Sequence, residues 1–160
     1  MKKFELTAEF VTNIFGKKLF RIKALVAFDN VEKGELGGFV EKEENLSQNG
    51  NAWVYGDARV SGDARVSGNA LVSGNAEVSG DADYATVKGF GRFFRATTFF
   101  RCKDKILRVQ CGCFYGDLEQ FREIVKKTHG DSKRAKEYLA IADLMELHFS
   151  DEEEKQEATE

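Results

Sequence analysis

The sequence contains few of the segments and residues that define several common classes of protein. No run approaches the ~20 apolar residues that a membrane-spanning helix needs. The amino terminus is basic, but no apolar segment follows it, so we expect no signal peptide and a cytoplasmic location. There are three cysteines, and an odd number in a cytoplasmic chain argues against a disulfide framework.

Charge is distributed unevenly along the chain. Residues 150–160 hold six acidic residues and one lysine, so the net charge of −3 becomes +2 without that segment, which we expect to be disordered. Residues 88–108 carry seven cations against Asp104 alone. Such an excess indicates a phosphate-bearing or acidic partner. The chain as a whole is mildly acidic, so binding to duplex nucleic acid is not expected.

A six-residue repeat, Val-x-Gly-(Asp/Asn)-Ala-x, runs through residues 50–84. Its members are Val54, Val60, Val66, Val72 and Val78, then Ala52, Ala58, Ala64, Ala70, Ala76 and Ala82, then Gly56, Gly62, Gly68, Gly74 and Gly80. A strict period of six is incompatible with a helix and predicts a β-solenoid, with valine filling the interior, alanine at tight inner corners and glycine in the turns.

Residues 18 apart should then lie one above another at about one sheet spacing. This predicts two charged columns and one apolar column. The charged columns are Glu41, Arg59 and Glu77, and Ser47, Arg65 and Asp83; in the apolar column Trp53 lies over Leu71, beside Tyr55. Because a short solenoid must cover its apolar face, we predict that Trp53, Tyr55 and Leu71 form a subunit interface. The alternative is that the N-terminal hairpin covers them within one chain.

Segments on both sides of the repeat carry their own patterns. Alternating apolar residues predict two strands before it, with a turn near Gly16, and two strands after it, over residues 90–100 and 105–114. Asp117 is a suitable N-cap for the first of two C-terminal helices and Gly130 a suitable end for it, and either Ser132 or Asp131 can cap the second. We divide the chain into a hairpin (1–34), the repeat (35–89), an α+β region (90–149) and the acidic tail (150–160).

Residues 19–25 (LFRIKAL), 34–41 (GELGGFVE) and 45–47 (NLS), the repeat, and residues 111–121 (CGCFYGDLEQF) and 128–131 (THGD) carry a family resemblance. The chain resembles small bacteriophage and prophage hexapeptide-repeat proteins of the polymer-forming-like type. The resemblance implies a left-handed solenoid, a phage origin, action in the host cell cytoplasm and a homo-oligomer. A trimer is the first oligomeric state to expect. The expected fold is therefore mainly β with C-terminal α: a short left-handed β-helix preceded by a β-hairpin and followed by a small β-hairpin and a two-helix α+β region.

The aromatic and basic stretch from residue 90 to 101 is the sharpest candidate binding site. Arginine donates bidentate hydrogen bonds to phosphate, and aromatic rings stack on bases, so we predict contacts to a partner or ligand. The candidate residues are Arg92, Phe94, Arg95, Arg101 and Arg108. The alternative is that the phenylalanines cover the end of the repeat and the arginines meet solvent.

Catalytic and metal sites have weaker support. Neither His129 nor His148 lies on the repeat, where a hexapeptide-type acyltransferase places its general base. Cys102, Cys111 and Cys113 could approach one another on neighbouring strands, but the C-x-C spacing is not that of the common zinc knuckle. We therefore expect no cofactor, no metal and reduced thiols.

Three functions follow from these features. The first is a non-catalytic, oligomeric, phage-encoded protein that counters a host defence system by binding a protein effector. The role against host defence is inferred only by analogy with other small phage proteins. The second is a sponge for an anionic cyclic nucleotide, held where subunits meet by Arg92, Arg95 or Arg101. The third is an acyltransferase of the hexapeptide type.

Overall fold

The computed structural model describes residues 2–150 and contains eleven strands and two α-helices in that part of the chain. The strands are β1 (Phe4–Thr12), β2 (Lys18–Ala24), β3 (Leu36–Val40), β4 (Trp53–Val54), β5 (Arg59–Val60), β6 (Leu71–Val72), β7 (Glu77–Val78), β8 (Tyr84–Phe90), β9 (Arg95–Arg101), β10 (Leu107–Cys111) and β11 (Phe114–Asp117). The helices are α1 (Leu118–His129) and α2 (Lys133–His148). Apart from Ser150, the predicted disordered tail lies outside the described residues. No described helix has the length and apolar character needed to cross a membrane.

The N-terminal strands form the predicted hairpin. Strand β1 pairs antiparallel with β2, and Gly16 occupies the turn with a φ of 78°. The side-chain amide oxygen of Asn13 accepts hydrogen bonds from the backbone N–H groups of Phe15 and Lys17. This is an Asx-type turn, which the asparagine stabilises without help from the rest of the fold.

The repeat places its valines and all but the last of its alanines as the sequence predicts, and Ala82 is exposed. The five valines and the first four alanines have no exposed surface, and Ala76 is 1% exposed. Gly56, Gly62, Gly68 and Gly74 have φ between 59° and 65°, a region that side chains disfavour. The pattern ends at Gly80, where φ is −153° and the backbone is extended.

The prediction of a short left-handed β-helix is wrong. The strands of the repeat divide between a five-stranded mixed sheet, ordered β1-β2-β3-β5-β7, and a separate two-stranded sheet of β4 and β6. Within residues 2–150 this strand order forms no closed or coiled β-helix. A six-residue period determines which side chains point inward, but not which sheet each short strand joins. Here the antiparallel strands β1 to β3 extend one sheet of the repeat.

Local stacking follows the predicted 18-residue spacing only in part. Trp53 pairs with Leu71, and Arg59 with Glu77, in parallel register. Arg59 also pairs with Phe39, 20 residues earlier, so the predicted column of Glu41 with Arg59 does not form. Glu41 instead accepts a hydrogen bond from the Gly62 N–H at 2.8 Å.

The region after the repeat is larger than the predicted single hairpin. Strands β8 to β11 form a four-stranded antiparallel sheet in the order β11-β10-β9-β8. The segment 90–100, predicted as one strand, is broken by a turn at residues 91–94 in which Gly91 and Phe94 have positive φ. A second turn at Gly112 (φ 57°) separates β10 from β11.

The two helices begin and end as predicted. The Asp117 carboxylate accepts the Gln120 N–H at 2.8 Å, and the Gln120 side chain accepts the Asp117 N–H at 2.9 Å, which completes a capping box. Helix α1 ends before Gly130, which has a φ of 58°. The hydroxyl of Ser132 caps α2 by accepting the Ala135 N–H.

Strand β9 separates two hydrophobic cores. Phe100 belongs to the core formed by the repeat and the N-terminal strands, whereas its neighbour Phe99 belongs to the core between the C-terminal sheet and the helices. Side chains alternate across a strand, so one strand can serve both cores. The Thr98 hydroxyl on the repeat side accepts the Leu71 N–H at 3.1 Å, which joins the C-terminal sheet to the repeat.

Candidate anion-binding site

A cavity of about 420 Å³ lies where the β8–β9 turn, the β10–β11 turn and the end of α1 meet. Its wall combines residues that are far apart in the sequence. They are Phe90, Arg92, Phe93, Arg95, Cys111, Gly112, Cys113, Thr128, His129 and Tyr138. Two of the five predicted binding residues, Arg92 and Arg95, therefore lie in one cavity, and this cavity is formed within a single chain.

The two arginines provide unneutralised positive charge. Neither Arg92 nor Arg95 forms an ion pair with any carboxylate of residues 2–150. The Arg95 guanidinium lies over the Phe93 ring, 5.2 Å from its centroid. A Cβ atom at Gly112 would lie 2.6 Å from Nη1 of Arg95, so the glycine leaves room for this guanidinium. Arg95 is thus oriented by packing, and its N–H groups remain free for an anion.

Aromatic rings form another part of the wall. The His129 imidazole stacks on the Tyr138 ring, with centroids 5.8 Å apart and planes at 27°. Burial raises the pKa of Tyr138 from 10 to about 12, so its hydroxyl stays neutral at working pH. The Tyr138 hydroxyl also lies against Gly91, where a Cβ atom would clash with it, and this contact links α2 to the β8–β9 turn.

The three cysteines do not lie together in the described part of the chain. Cys111 ends β10 and accepts a hydrogen bond from the Thr97 hydroxyl at 3.2 Å, Cys113 is exposed in the following turn, and Cys102 is buried at the other end of the sheet. All three are free thiols. Within residues 2–150, no group of three or more His, Cys, Asp or Glu side chains is arranged to hold a metal ion.

Arg101 and Arg108, also predicted to bind a partner, are engaged within the fold. Nε of Arg101 lies 3.3 Å from the Asp83 carboxylate, and its Nη2 donates to the Phe149 carbonyl. Arg108 pairs with Asp104 at 2.8 Å, and this hydrogen bond holds the pKa of Asp104 at about 2. Both guanidinium groups therefore have structural partners, which distinguishes them from Arg92 and Arg95.

Phe94 is exposed just outside the cavity. Phe94 is 64% exposed, and Phe93 is 67% exposed. Phe94 also has a φ of 55°, in the left-handed region that a bulky residue adopts only at a cost. The β8–β9 turn thus presents two phenyl rings between two unpaired arginines.

Trp53 is not the exposed contact that the sequence suggested. Its side chain has no exposed surface and packs edge-on against Phe4 and Phe28, with ring centroids 6.3 and 5.3 Å apart. Tyr55 and Leu71 are half-buried against the same core. The N-terminal segment therefore covers this face within one chain, so Trp53 cannot contact another subunit directly. Homo-oligomer formation itself stays a prediction.

A larger cavity of about 840 Å³ lies between the β1–β2 turn and the repeat. Its wall mixes carboxylates, among them Glu41 and Glu77, with cations such as Lys103, and contains the Asp83–Arg101 ion pair. Charges of both signs compensate each other there. The smaller cavity is therefore the better candidate for an anion, because its charged side chains are arginines.

Sequence reasoning found part of this site. Arg92 and Arg95 stand out in an aromatic and basic stretch, whereas Tyr138 gives no signal because only tertiary packing brings α2 to the turn. His129 is the last residue of α1, as expected, and also lines the cavity; His148 ends α2 and packs against Phe149. Neither histidine lies on the repeat, so nothing places a general base where an acyltransferase of the hexapeptide type would need one.

The chain matches no protein-family model and no curated protein sequence.

Proposed function

We propose that the protein binds a small nucleotide-class anion without turning it over, and so acts as a sponge for an anionic signal in the host cell cytoplasm. One observation carries this proposal: two unpaired guanidinium groups share an aromatic-walled cavity of about 420 Å³. Cavities of ~300–1,000 Å³ are typical of small-molecule sites. The phage origin and the role against host defence rest on the family resemblance alone.

The chemistry of the wall fits both halves of a nucleotide. Arg92 and Arg95 can donate paired hydrogen bonds to phosphate oxygens. Phe93 and the stacked His129–Tyr138 pair offer ring faces on which a base can lie. A phosphate alone would use only the arginines, so a ligand with both groups uses more of this surface.

Binding without turnover is proposed from the position of the imidazole. A general base must lie within hydrogen-bond reach of the group that it activates. The His129 ring packs with its face on Tyr138, and within residues 2–150 no hydrogen bond joins its ring nitrogens to a hydroxyl or thiol that it could activate. The Cys111 thiol accepts its hydrogen bond from Thr97.

Titration calorimetry with a panel of cyclic mononucleotides and dinucleotides tests the proposal. We expect binding by the unmodified chain and a loss of roughly tenfold or more in affinity for Arg92→Gln and for Arg95→Gln, because each removes charge-assisted hydrogen bonds. Arg65→Gln is the matched control, since Arg65 is an exposed arginine on the repeat. Absence of heat with every nucleotide, from protein shown to be folded, would contradict the proposal.

The exposed thiol of Cys113 allows a second measurement at the same cavity. Cys113 lines the cavity and is exposed, whereas Cys102 is buried. A bound nucleotide should therefore slow the reaction of Cys113 with a disulfide reagent several-fold. An unchanged rate at saturating nucleotide would place the ligand elsewhere.

Binding to a host protein effector is the second candidate. Exposed aromatic residues flanked by arginines are typical of the few residues that dominate protein–protein affinity. A substitution at Phe94 can distinguish effector binding from nucleotide binding, because Phe94 is exposed in the turn but does not line the cavity. If an effector is bound, Phe94→Ser should release a host protein co-purified from infected lysate while leaving nucleotide binding unchanged. A host protein retained equally by Phe94→Ser and the unmodified chain would contradict this candidate.

A further inference from the structure

The tip of the β1–β2 hairpin, residues 13–17, presents two apolar side chains to solvent. Ile14 is 91% exposed and Phe15 is 81% exposed. The turn that carries them is ordered by hydrogen bonds from the Phe15 and Lys17 N–H groups to the Asn13 side chain and by a 2.9 Å backbone bond between Asn13 and Lys17. Isolated exposed apolar residues are common, but an adjacent pair on a rigid tip is a feature of binding surfaces.

The hairpin tip is also basic. Lys17 and Lys18 are exposed and follow the apolar pair after Gly16, and neither forms an ion pair with a carboxylate of the described chain. The Lys18 ammonium lies 4.7 Å from the centroid of the Phe10 ring. The surface that fits this tip is therefore an apolar cleft with a carboxylate rim.

The same chain contains such a cleft beside helix α1. This acid-rimmed cleft, of about 330 Å³, has an apolar floor and three carboxylates and no cation in its wall. Its residues are Ile106, Leu107, Asp117, Leu118, Glu119, Glu146 and Phe149. Ile106, at 45% exposed, leaves part of the floor accessible.

The carboxylates of the cleft exceed the nearby positive charge. Arg122 is shared among Glu119, Asp143 and Glu146, with nitrogen–oxygen distances of 2.9, 2.9 and 3.2 Å. Asp117 has no ion-pair partner within residues 2–150. Arg122 thus pairs with three carboxylates, and Asp117 adds a fourth in the cleft wall, so the negative charge exceeds what one guanidinium neutralises and can attract the lysines of an incoming tip.

We infer that the hairpin tip of one copy binds the acid-rimmed cleft of a second copy. Ile14 and Phe15 enter the apolar floor, and Lys17 and Lys18 approach Glu119 and Glu146. Such a contact joins two different surfaces, so each copy uses its tip on one neighbour and its cleft on another. Contacts of this kind close into a ring, or extend into a chain, by repetition.

Light scattering and sedimentation of the full chain test this contact first. We expect a mass above that of the monomer at micromolar concentrations, decreasing with added salt because the lysine–carboxylate pairs are at the surface. Phe15→Ser should weaken the association constant by about tenfold or more. Leu36→Ser, which removes an exposed apolar side chain from β3, is the control and should leave the mass unchanged.

Charge reversal makes the test specific. A tip variant, Lys17→Glu with Lys18→Glu, and a cleft variant, Glu119→Lys with Glu146→Lys, should each be monomeric. When the two variants are mixed, the acidic tip of the first should bind the basic cleft of the second. The unmodified tip of the second should bind the unmodified cleft of the first. Both substitutions in one chain should restore self-association.

Three results would overturn the inference. They are a monomeric unmodified chain at high concentration, an oligomer unaffected by Phe15→Ser, and charge-reversed variants that stay apart when mixed although circular dichroism shows both folded. The arginine cavity is not part of this contact, so the nucleotide proposal stands or falls separately.

Discussion

Backbone conformation singles out Phe94 among the residues of the candidate site. Three non-glycine residues of the described chain have positive φ, and the other two, Asp29 and Lys105, lie in other turns. A left-handed conformation costs a residue with a Cβ atom roughly 1–2 kcal/mol. Asparagine tolerates it better, because its short polar side chain bonds locally. An exposed, bulky apolar residue in this strained conformation is consistent with a contact outside the chain.

Phe94→Asn should therefore stabilise the isolated protein slightly. We expect the free energy of unfolding in urea to rise by up to about 1 kcal/mol, since the substitution relieves the backbone without removing a buried contact. Phe93→Asn is the control, because Phe93 is similarly exposed but has no positive φ. A loss of more than about 1 kcal/mol for Phe94→Asn would mean that the ring packs against the fold.

Composition alone draws attention to single residues without showing that they bind a ligand. Arg92 and Arg95 were identified from their aromatic neighbours, and both line the cavity. Arg101 and Arg108 looked equivalent in the sequence but form ion pairs with Asp83 and Asp104. Sequence could not distinguish the two pairs of arginines, because the tertiary fold decides which carboxylate a side chain reaches.

Elements with local determinants were predicted more accurately than elements with distant partners. The helices have caps within three residues of their first turn, and both begin where the sequence indicated. The strands of the repeat are two residues long and depend on partners 18 to 20 residues away. The period located their inward side chains, but the mixed sheet depends on the antiparallel strands β1 to β3, which the period does not include.

The contribution of the Asp117 N-cap to the stability of helix α1 can be measured by substitution. Asp117→Ala should lower the free energy of unfolding by roughly 1 kcal/mol, because the Gln120 N–H loses its acceptor. Asp117→Ser retains an acceptor and should recover most of that loss, which urea unfolding at pH 7 would measure. Equal losses for the alanine and serine variants would show that the carboxylate acts through its charge and not through the cap.

Across the whole molecule, a buried lysine joins the N-terminus to the repeat. Lys3 is 4% exposed; its ammonium donates to the Ala52 carbonyl at 2.7 Å and lies 4.8 Å from the centroid of the Phe28 ring. Burial lowers the pKa of Lys3 from 10.5 to about 8. The folded protein therefore loses this proton at a lower pH than the unfolded chain does.

Stability should consequently rise between pH 7.5 and 9.5. In this window the unfolded chain binds more protons at Lys3 than the folded chain, so the free energy of unfolding increases with pH, by roughly 1–2 kcal/mol. Lys3→Met should abolish the increase, whereas Lys2→Met should retain it, because the Lys2 side chain is 61% exposed. An identical pH profile for Lys3→Met and the unmodified protein would contradict the argument.

The two cores on either side of β9 differ in what they contain. The only tryptophan of the sequence, Trp53, is buried in the core of the repeat, and both α-helices pack on the other core. Indole fluorescence therefore reports on the half of the molecule that contains the repeat. Circular dichroism at about 222 nm, the helical band, reports on the half that contains the helices. Superimposable unfolding curves from these two optical signals would show that the two halves unfold as one cooperative unit.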